Sequence, residues 1–173
     1  ALDALATYAR AARVKGPAAA FAEHAGRAYN ADAFGPDVPC VCLRIPTGGG
    51  KTVLAAHAVP LLAAEWRGTD APVAVWLVPS DTIRTQTLKA LQTSGHPYRE
   101  ALEAVYGLGL RVCSLDDVAQ VPAPQWGRQA VVIVVATIQS FRIDDAGQRN
   151  VYSFTEAFEP HFKYALAQGK GAE

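Results

Sequence analysis

The sequence predicts an α/β protein with three layers, a mostly parallel sheet carrying helices on both faces, preceded by an N-terminal helical hairpin. Three observations predict this class. A glycine-rich loop at residues 46–52 joins a strand-like run to a helix-like run. Two further apolar runs, 73–79 and 131–136, have the length of buried strands. Helical patterns alternate with these strands, as they do in α/β domains.

The first 38 residues form the predicted N-terminal helical segment, and residues 39–173 form the predicted main domain. Residues 2–14 have apolar side chains at helical spacing, Gly16 breaks the pattern, and Pro17 suits the first turn of a second helix over 17–29. The residues expected to face inward are Leu2, Leu5, Ala9 and Ala12 in the first helix and Phe21, Ala25 and Ala28 in the second. The hairpin either serves packing, which we favour, or lies beside a bound nucleotide base.

The glycine loop is the strongest functional signal. A strand is expected over 40–45 and a helix over 51–66, kinked or split by Pro60. Glycines let backbone N–H groups curl around an anion, and the positive end of the following helix points at the same anion. Lys51 is expected to reach the β- and γ-phosphates, and the Thr52 hydroxyl to bind Mg²⁺. The predicted nucleotide-binding residues are Thr47, Gly48, Gly49, Gly50, Lys51, Thr52 and Val53.

One position departs from the strict phosphate-loop pattern, which places glycine where this chain has Ile45. The alternative interpretation is an ordinary glycine-rich turn between a strand and a helix. Such a turn does not require lysine and then threonine at the start of the helix, so we favour the nucleotide site.

The run from Arg44 to Thr52 resembles motif I of superfamily 2 helicases, and more narrowly the DEAD/DEAH-box proteins akin to the Res subunit of type III restriction enzymes. Those helicases often carry a residue other than glycine where Ile45 stands. The resemblance implies a RecA-like P-loop NTPase lobe with ATP and Mg²⁺ as cofactors and DNA as partner. It makes Lys51 and Thr52 the expected catalytic residues.

The run Val73–Pro79 predicts a strand covered on both faces. Ser80 and Asp81 then suit the cap of a helix over 82–93. This stretch resembles helicase motif Ia, whose loop touches DNA backbone phosphates. The expected DNA contacts are Pro79, Ser80, Thr82 and Gln86, with Arg84 as a further candidate. Capping alone is the alternative role for Ser80.

A short helix over 97–106 and strands over 110–113 and 131–136 follow, and the last strand leads into a turn from Thr137 to Arg142. This turn resembles helicase motif Ib, which implies DNA contacts by Thr137 and Gln139; an ordinary helix start is the alternative. Ligands bind at the carboxyl ends of strands in open α/β sheets, so all three loops should line one rim.

The acidic motif that hydrolysis needs, Asp-Glu-x-His or similar, is not found. Asp116–Asp117 precede the Thr137 strand, Asp144–Asp145 follow no strand, and Glu156 and Glu159 lie in a tail that we cannot place. The chain begins with Ala1 and contains no methionine. We therefore expect an incomplete first motor lobe, excised from an ATP-driven DNA helicase or translocase, whose isolated form binds nucleotide weakly and hydrolyses none.

Two alternatives stay open at this point. If the chain is naturally this short, it is a nucleotide-binding module that never hydrolyses its ligand. A different P-loop enzyme, such as a kinase, would not explain the second and third motifs. For a restriction enzyme parent, the resemblance implies a second motor lobe and a methyltransferase subunit as further partners.

The amino-acid composition excludes several classes of function. Sixteen basic and sixteen acidic residues give a formal net charge of zero, which argues against a basic protein that coats DNA. The three cysteines, Cys40, Cys42 and Cys113, offer no zinc pattern and suit free thiols in the cytoplasm. No apolar run approaches the length of a membrane span, so we expect no membrane partner.

Overall fold

The computed structural model describes residues 1–30, 35–122, 125 and 130–141. The chain divides into two compact units, Ala1–Asp70 and Ala71–Glu173. The predicted division at residue 38 stays a prediction. The expectations for Asp144–Asp145 and for the tail lie outside the described residues.

The predicted N-terminal hairpin is present. Helix α1 spans Leu2–Lys15 and helix α2 spans Pro17–Ala25, with Gly16 between them at a φ of 84°. Leu5, Tyr8, Ala9 and Ala12 of α1 are buried, and so are Pro17 and Ala20 of α2. The inward orientation predicted for Ala25 and Ala28 is wrong, because both are exposed. Gly26 takes a left-handed φ of 62° and ends α2, so Ala28 does not continue its face.

Helix α3 spans Lys51–Leu62 and continues as a π-helical turn over Ala63–Arg67, close to the predicted end at residue 66. Pro60 lies inside the helix, and the hydrogen-bond pattern changes three residues later, at Ala63, rather than at the proline. The Arg10 guanidinium of α1 donates to both carboxylate oxygens of Glu65, at 2.8 and 2.7 Å. This fork ties the hairpin to the end of the α3 run.

The strand predicted over 40–45 is wrong. Residues 39–46 have no regular secondary structure. A strand exists only where a neighbour supplies partners for its N–H and C=O groups. The first unit provides no such neighbour within its described residues, since the three described strands all belong to the second unit.

The second unit is a parallel sheet with helical crossovers, as predicted. Strands β1 (Val73–Val78), β2 (Leu110–Ser114) and β3 (Val131–Thr137) lie in the order β1-β3-β2. Both pairings are parallel. Helices α4 (Asp81–Gln92) and α5 (Pro97–Tyr106) connect β1 to β2. Short 3₁₀ turns cover 107–109, 118–120 and 139–141.

Strand β3 lies at the centre of the core, and all seven of its residues are buried. Helix α4 contacts all three strands. Val132 and Val134 also form a cluster with Cys113 and Val121. The prediction that β1 is covered on both faces is wrong. Val73, Val75 and Leu77 are about half exposed, at 46, 55 and 51%, and alternate residues of a strand share one face, so the described residues leave one face of β1 uncovered.

None of the described helices has the length and apolar character needed to cross a membrane.

Candidate nucleotide and DNA sites

The glycine loop makes a tight turn directly before α3. Gly48 and Gly50 take positive φ values of 80° and 72°, which residues with a Cβ rarely adopt. The Gly49 N–H donates to the carbonyl of Pro46 at 3.1 Å, and the Leu54 N–H donates to the carbonyl of Gly50 at 2.9 Å. The loop therefore closes on itself and passes straight into the first turn of the helix.

Gly49 is required for a different reason. A Cβ at this position would lie 2.6 Å from Cγ2 of Ile45 and 3.0 Å from the Pro46 carbonyl oxygen. Ile45 stands where the strict phosphate-loop pattern has glycine, and its branched side chain fills space beside Gly49. The isoleucine at position 45 therefore packs beside residue 49 only because that residue has no side chain.

The first amides of α3 carry no side-chain cap. Gly50, the N-cap residue, has no side chain to accept a hydrogen bond. By contrast, α4 is capped by the Ser80 hydroxyl, which accepts from the Ile83 N–H, and α5 by His96 Nδ1, which accepts from the Tyr98 N–H. An α-helix leaves its first amides without intrahelical acceptors. Those of Lys51, Thr52 and Val53 are therefore suited to an external anion.

Lys51 is exposed at the start of α3, and its ammonium donates to the Pro46 carbonyl across the loop at 3.0 Å. An ammonium has three donors, so this bond leaves capacity for phosphate oxygens. Thr52 and Val53 are half-buried, and Thr47 is exposed in the turn. The predicted nucleotide residues thus form one continuous loop and helix start.

These residues fit a triphosphate with Mg²⁺. A positive-φ turn, a run of uncapped amides and one ammonium form a donor set for phosphate oxygens. Among the described residues, no three His, Cys, Asp or Glu side chains come close enough to hold a metal ion by themselves. Mg²⁺ commonly uses one or two protein oxygens together with substrate phosphates, which matches a single threonine hydroxyl.

Two of the predicted DNA loops meet at one edge of the sheet. Val78 at the end of β1 is the register partner of Thr137 at the end of β3, and the Ile138 N–H donates to the Val78 carbonyl at 3.2 Å. Ser80 and Gln139, which follow these strand ends, therefore leave the same edge. The expectation that the glycine loop lines this rim as well stays a prediction.

The predicted DNA residues differ in accessibility. Pro79, Ser80, Thr82, Gln86 and Gln139 are exposed. Ser80 acts as the N-cap of α4, with a distance of 3.4 Å from its hydroxyl to the Ile83 N–H.

Thr137 is different, because it is buried with 4% of its surface exposed. Its hydroxyl bonds the Ser140 hydroxyl at 2.8 Å and accepts from the Ser140 N–H at 3.2 Å. The structure therefore gives Thr137 a capping role in the turn after β3.

Charged groups lie at this same edge, and the contacts between them were not predicted from the sequence. Arg84 Nε donates to Asp81 Oδ1 at 3.0 Å, and Arg84 Nη1 lies 3.9 Å from Asp116 Oδ2. Asp117 accepts from the Ser114 hydroxyl at 2.6 Å. The spacing of three residues from Asp81 to Arg84 on one helix is a readable signal. No local pattern links Arg84 to Asp116, because the sheet brings them together.

One protein family has a sequence model that matches this chain. The sequence model of the family described as "type III restriction enzyme, res subunit" matches residues 29–164, which is well over half of the chain. The chain belongs to this family. The match includes the glycine loop, both loops predicted to contact DNA and the three strands of the sheet.

Membership in the Res-subunit family confirms the resemblance that the three motifs indicated. It also implies a P-loop fold, and the parallel sheet with its helices is consistent with that fold. It makes the chain a helicase-like, ATP-binding module whose parent is an ATPase of the helicase type. No individual curated protein and no solved structure matches the chain.

Proposed function

We propose that this chain is the ATP-binding part of the first motor lobe of a DNA helicase or translocase that serves a type III restriction endonuclease. In the parent protein, ATP hydrolysis would drive movement along DNA. A second motor lobe and a methyltransferase subunit would complete the machine. Bound Mg²⁺ would polarise the terminal phosphates, and the protein part of its shell would come from Thr52.

One observation carries this proposal: the uncapped amides of α3 follow a tight turn with two positive-φ glycines, and the Lys51 ammonium bonds across that turn. The helix start would bind the β- and γ-phosphates through backbone N–H groups. Lys51 would exchange its bond to the Pro46 carbonyl for a stronger charge-assisted bond to phosphate.

The test is nucleotide affinity of Lys51→Ala, measured by fluorescence titration with a labelled, non-hydrolysable ATP analogue and Mg²⁺. A hydrogen bond to a charged group contributes about 1.5–3 kcal/mol, so affinity should fall by roughly 10- to 100-fold. Lys89→Ala is the control, because Lys89 is an exposed lysine on α4. Analogue affinity that is unchanged in Lys51→Ala, or lowered equally in both variants, would refute the site.

We also propose that DNA backbone phosphates bind at the edge where β1 and β3 end, through Pro79, Ser80, Thr82, Gln86, Thr137 and Gln139. The exposure of the first four and of Gln139 supports this proposal. So does the start of α4 at the same edge, since a helix N-terminus favours phosphate. Thr137 would act by shaping the turn that presents Gln139.

A substitution of Ser80 can distinguish its role as a helix cap from a role in DNA binding. Ser80→Asp keeps a capping oxygen, so the free energy of unfolding should stay close to that of the wild type. The added negative charge should weaken DNA binding if a phosphate lies beside Ser80. Ser80→Asn, a neutral capping residue, is the control. Equal DNA affinity of the two variants would contradict a phosphate at this position.

A further inference from the structure

We propose that Arg84 is the cationic contact for a backbone phosphate at this edge and that Asp116 competes with the phosphate for it. This inference rests on the proposed DNA surface and adds its regulation. Without DNA, the guanidinium is bonded to Asp81 and faces Asp116; with DNA, a phosphate takes the side now facing Asp116.

The geometry around Arg84 is asymmetric. Its Nε makes a 3.0 Å bond to Asp81, three residues earlier on the same helix. This bond orients the guanidinium plane. Nη1 lies 3.9 Å from Asp116 Oδ2, which is beyond hydrogen-bond distance. The described structure therefore leaves the outer N–H groups of the fork oriented but without a close carboxylate.

Arg84 and Asp116 also differ in solvent exposure. The Arg84 side chain is 25% exposed, whereas that of Asp116 is 85% exposed. Asp116 comes from the loop after β2 and makes no other side-chain hydrogen bond or ion pair among the described residues, so its ion pair with Arg84 is weak and easily replaced. A phosphate can accept two parallel N–H bonds from a guanidinium fork, which makes it the stronger partner.

The local charge balance explains why such a competition matters. Among the described residues, Asp81, Asp116 and Asp117 lie at this end of the sheet together with the guanidinium of Arg84. Asp117 is engaged by Ser114 and by the Gln120 amide, which donates to it at 3.2 Å. These carboxylates repel a DNA phosphate, so the edge would hold DNA loosely while Asp116 faces the guanidinium of Arg84.

The experiment measures binding of the full 173-residue chain to a fluorescein-labelled single-stranded oligonucleotide by anisotropy, over a series of KCl concentrations. Asp116→Asn should tighten binding by about two- to fivefold at low salt, because it removes a competitor worth one exposed ion pair. It should leave the slope of log K against log[KCl] unchanged, because both chains form the same phosphate contact, whereas Arg84→Ala should make that slope shallower by about 0.7, the value for one single-strand phosphate contact. Arg84→Ala should weaken binding, and Arg84→Lys should fall between it and the wild type because it keeps the charge without the fork.

Two controls separate the competition from general repulsion. Asp117→Asn removes a neighbouring negative charge that is not paired with Arg84, so its gain should be smaller than that of Asp116→Asn. In the double variant Arg84→Ala/Asp116→Asn the gain should disappear, since there is no guanidinium to release. A gain that persists at full size in the Arg84→Ala background would overturn the proposal, as would wild-type affinity in Arg84→Ala.

Failure of the underlying DNA surface would look different. Thr82→Ala and Gln86→Ala should each weaken binding whether or not Arg84 takes part. If both bind DNA like the wild type, the surface is in the wrong place and the proposal for Arg84 falls with it. If both lose affinity while Arg84→Ala does not, the surface stands and only the role of Arg84 is overturned.

Discussion

Ile45 and Gly49 show at the scale of single residues how a departure from a pattern can be compensated. The Ile45 Cγ2 atom takes the space that a Cβ at residue 49 would need. A β-branched side chain has few rotamers with which to move away. The turn therefore tolerates the isoleucine only beside a glycine.

Gly49→Ala should lower affinity for an ATP analogue by fivefold or more, because overpacking of this kind costs about 1–3 kcal/mol. Ile45→Ala in the same chain should restore part of the loss. The rescue stays partial, since the Pro46 carbonyl oxygen would still lie 3.0 Å from the new Cβ. Equilibrium titration of both variants checks this, and wild-type affinity in Gly49→Ala alone would contradict the packing account.

Tyr8 is the residue of the N-terminal hairpin with the largest electrostatic consequence. It is 5% exposed and packs edge-on against Phe21, with ring centroids 6.0 Å apart. Burial, followed by the neighbouring Tyr29, raises the pKa of Tyr8 from 10.0 to about 12. The folded chain therefore resists forming the phenolate that the unfolded chain forms readily.

The sign of the pH effect follows from this shift. Below pH 10 both states keep the proton, and the contribution of Tyr8 to stability is complete. Between pH 10 and about 12 the unfolded state loses the proton first, so stability falls by up to about 1.4 kcal/mol per pH unit from this group. Urea unfolding of the wild type and Tyr8→Phe at pH 8–11 checks this. The wild type should lose more stability above pH 10 than Tyr8→Phe, and parallel curves would contradict the assignment.

At the scale of elements, β1 and β3 show that similar sequences can have different burial. Both runs are almost wholly apolar. Strand β3 lies between its two neighbours and is buried along its whole length, whereas β1 lies at the edge and exposes alternate residues. What packs on each face of a strand, rather than residue type, decides which valines contribute to stability.

Val75 and Val134 are register partners on these two strands and form a matched pair. Val134 is 4% exposed and Val75 is 55% exposed. Val134→Ala should lower the free energy of unfolding by about 1.5–3 kcal/mol, because it removes buried apolar surface and leaves a cavity. Val75→Ala should cost less than about 1 kcal/mol. Chemical unfolding of the two variants measures the difference, and equal losses would show that the outer face of β1 is covered in solution.

At the scale of the whole molecule, the sequence contains a loop suited to nucleotide binding but not the acidic motif that ATP hydrolysis needs. Family membership makes the parent an ATPase of the helicase type. No acidic motif of the required form follows β3 within the chain. We propose that the glycine loop binds phosphates and that the group that positions the attacking water is not part of these 173 residues.

We expect the 173-residue chain to bind an ATP analogue while showing no ATP hydrolysis above background, with or without DNA. A longer chain that includes the rest of the motor should hydrolyse ATP, and DNA should stimulate it. Phosphate release from both chains, with the Lys51→Ala form of the longer chain as control, checks this. Hydrolysis by the 173-residue chain itself would contradict the expectation. A longer chain that hydrolyses no ATP, or does so indifferently to DNA, would favour a nucleotide-binding module instead of a motor.

The amino-acid sequence by itself determined the features that depend on neighbours in the chain. The hairpin break at Gly16, the start of α3 at Lys51 and the Ser80 cap follow from local backbone preferences. The parallel arrangement of 73–78, 110–114 and 131–137 was also readable, because apolar runs that alternate with helical patterns are typical of a parallel α/β sheet.

Tertiary structure decided what depends on residues distant in the chain. Residues 40–45 have the composition of a strand but lack a partner among the described residues, so they form none. The edge position of β1 and the approach of Arg84 to Asp116 have the same origin. The physical reason is that strand pairing, burial and ion pairs between loops each require a second segment, and the sequence of one segment does not specify which other segment will be beside it.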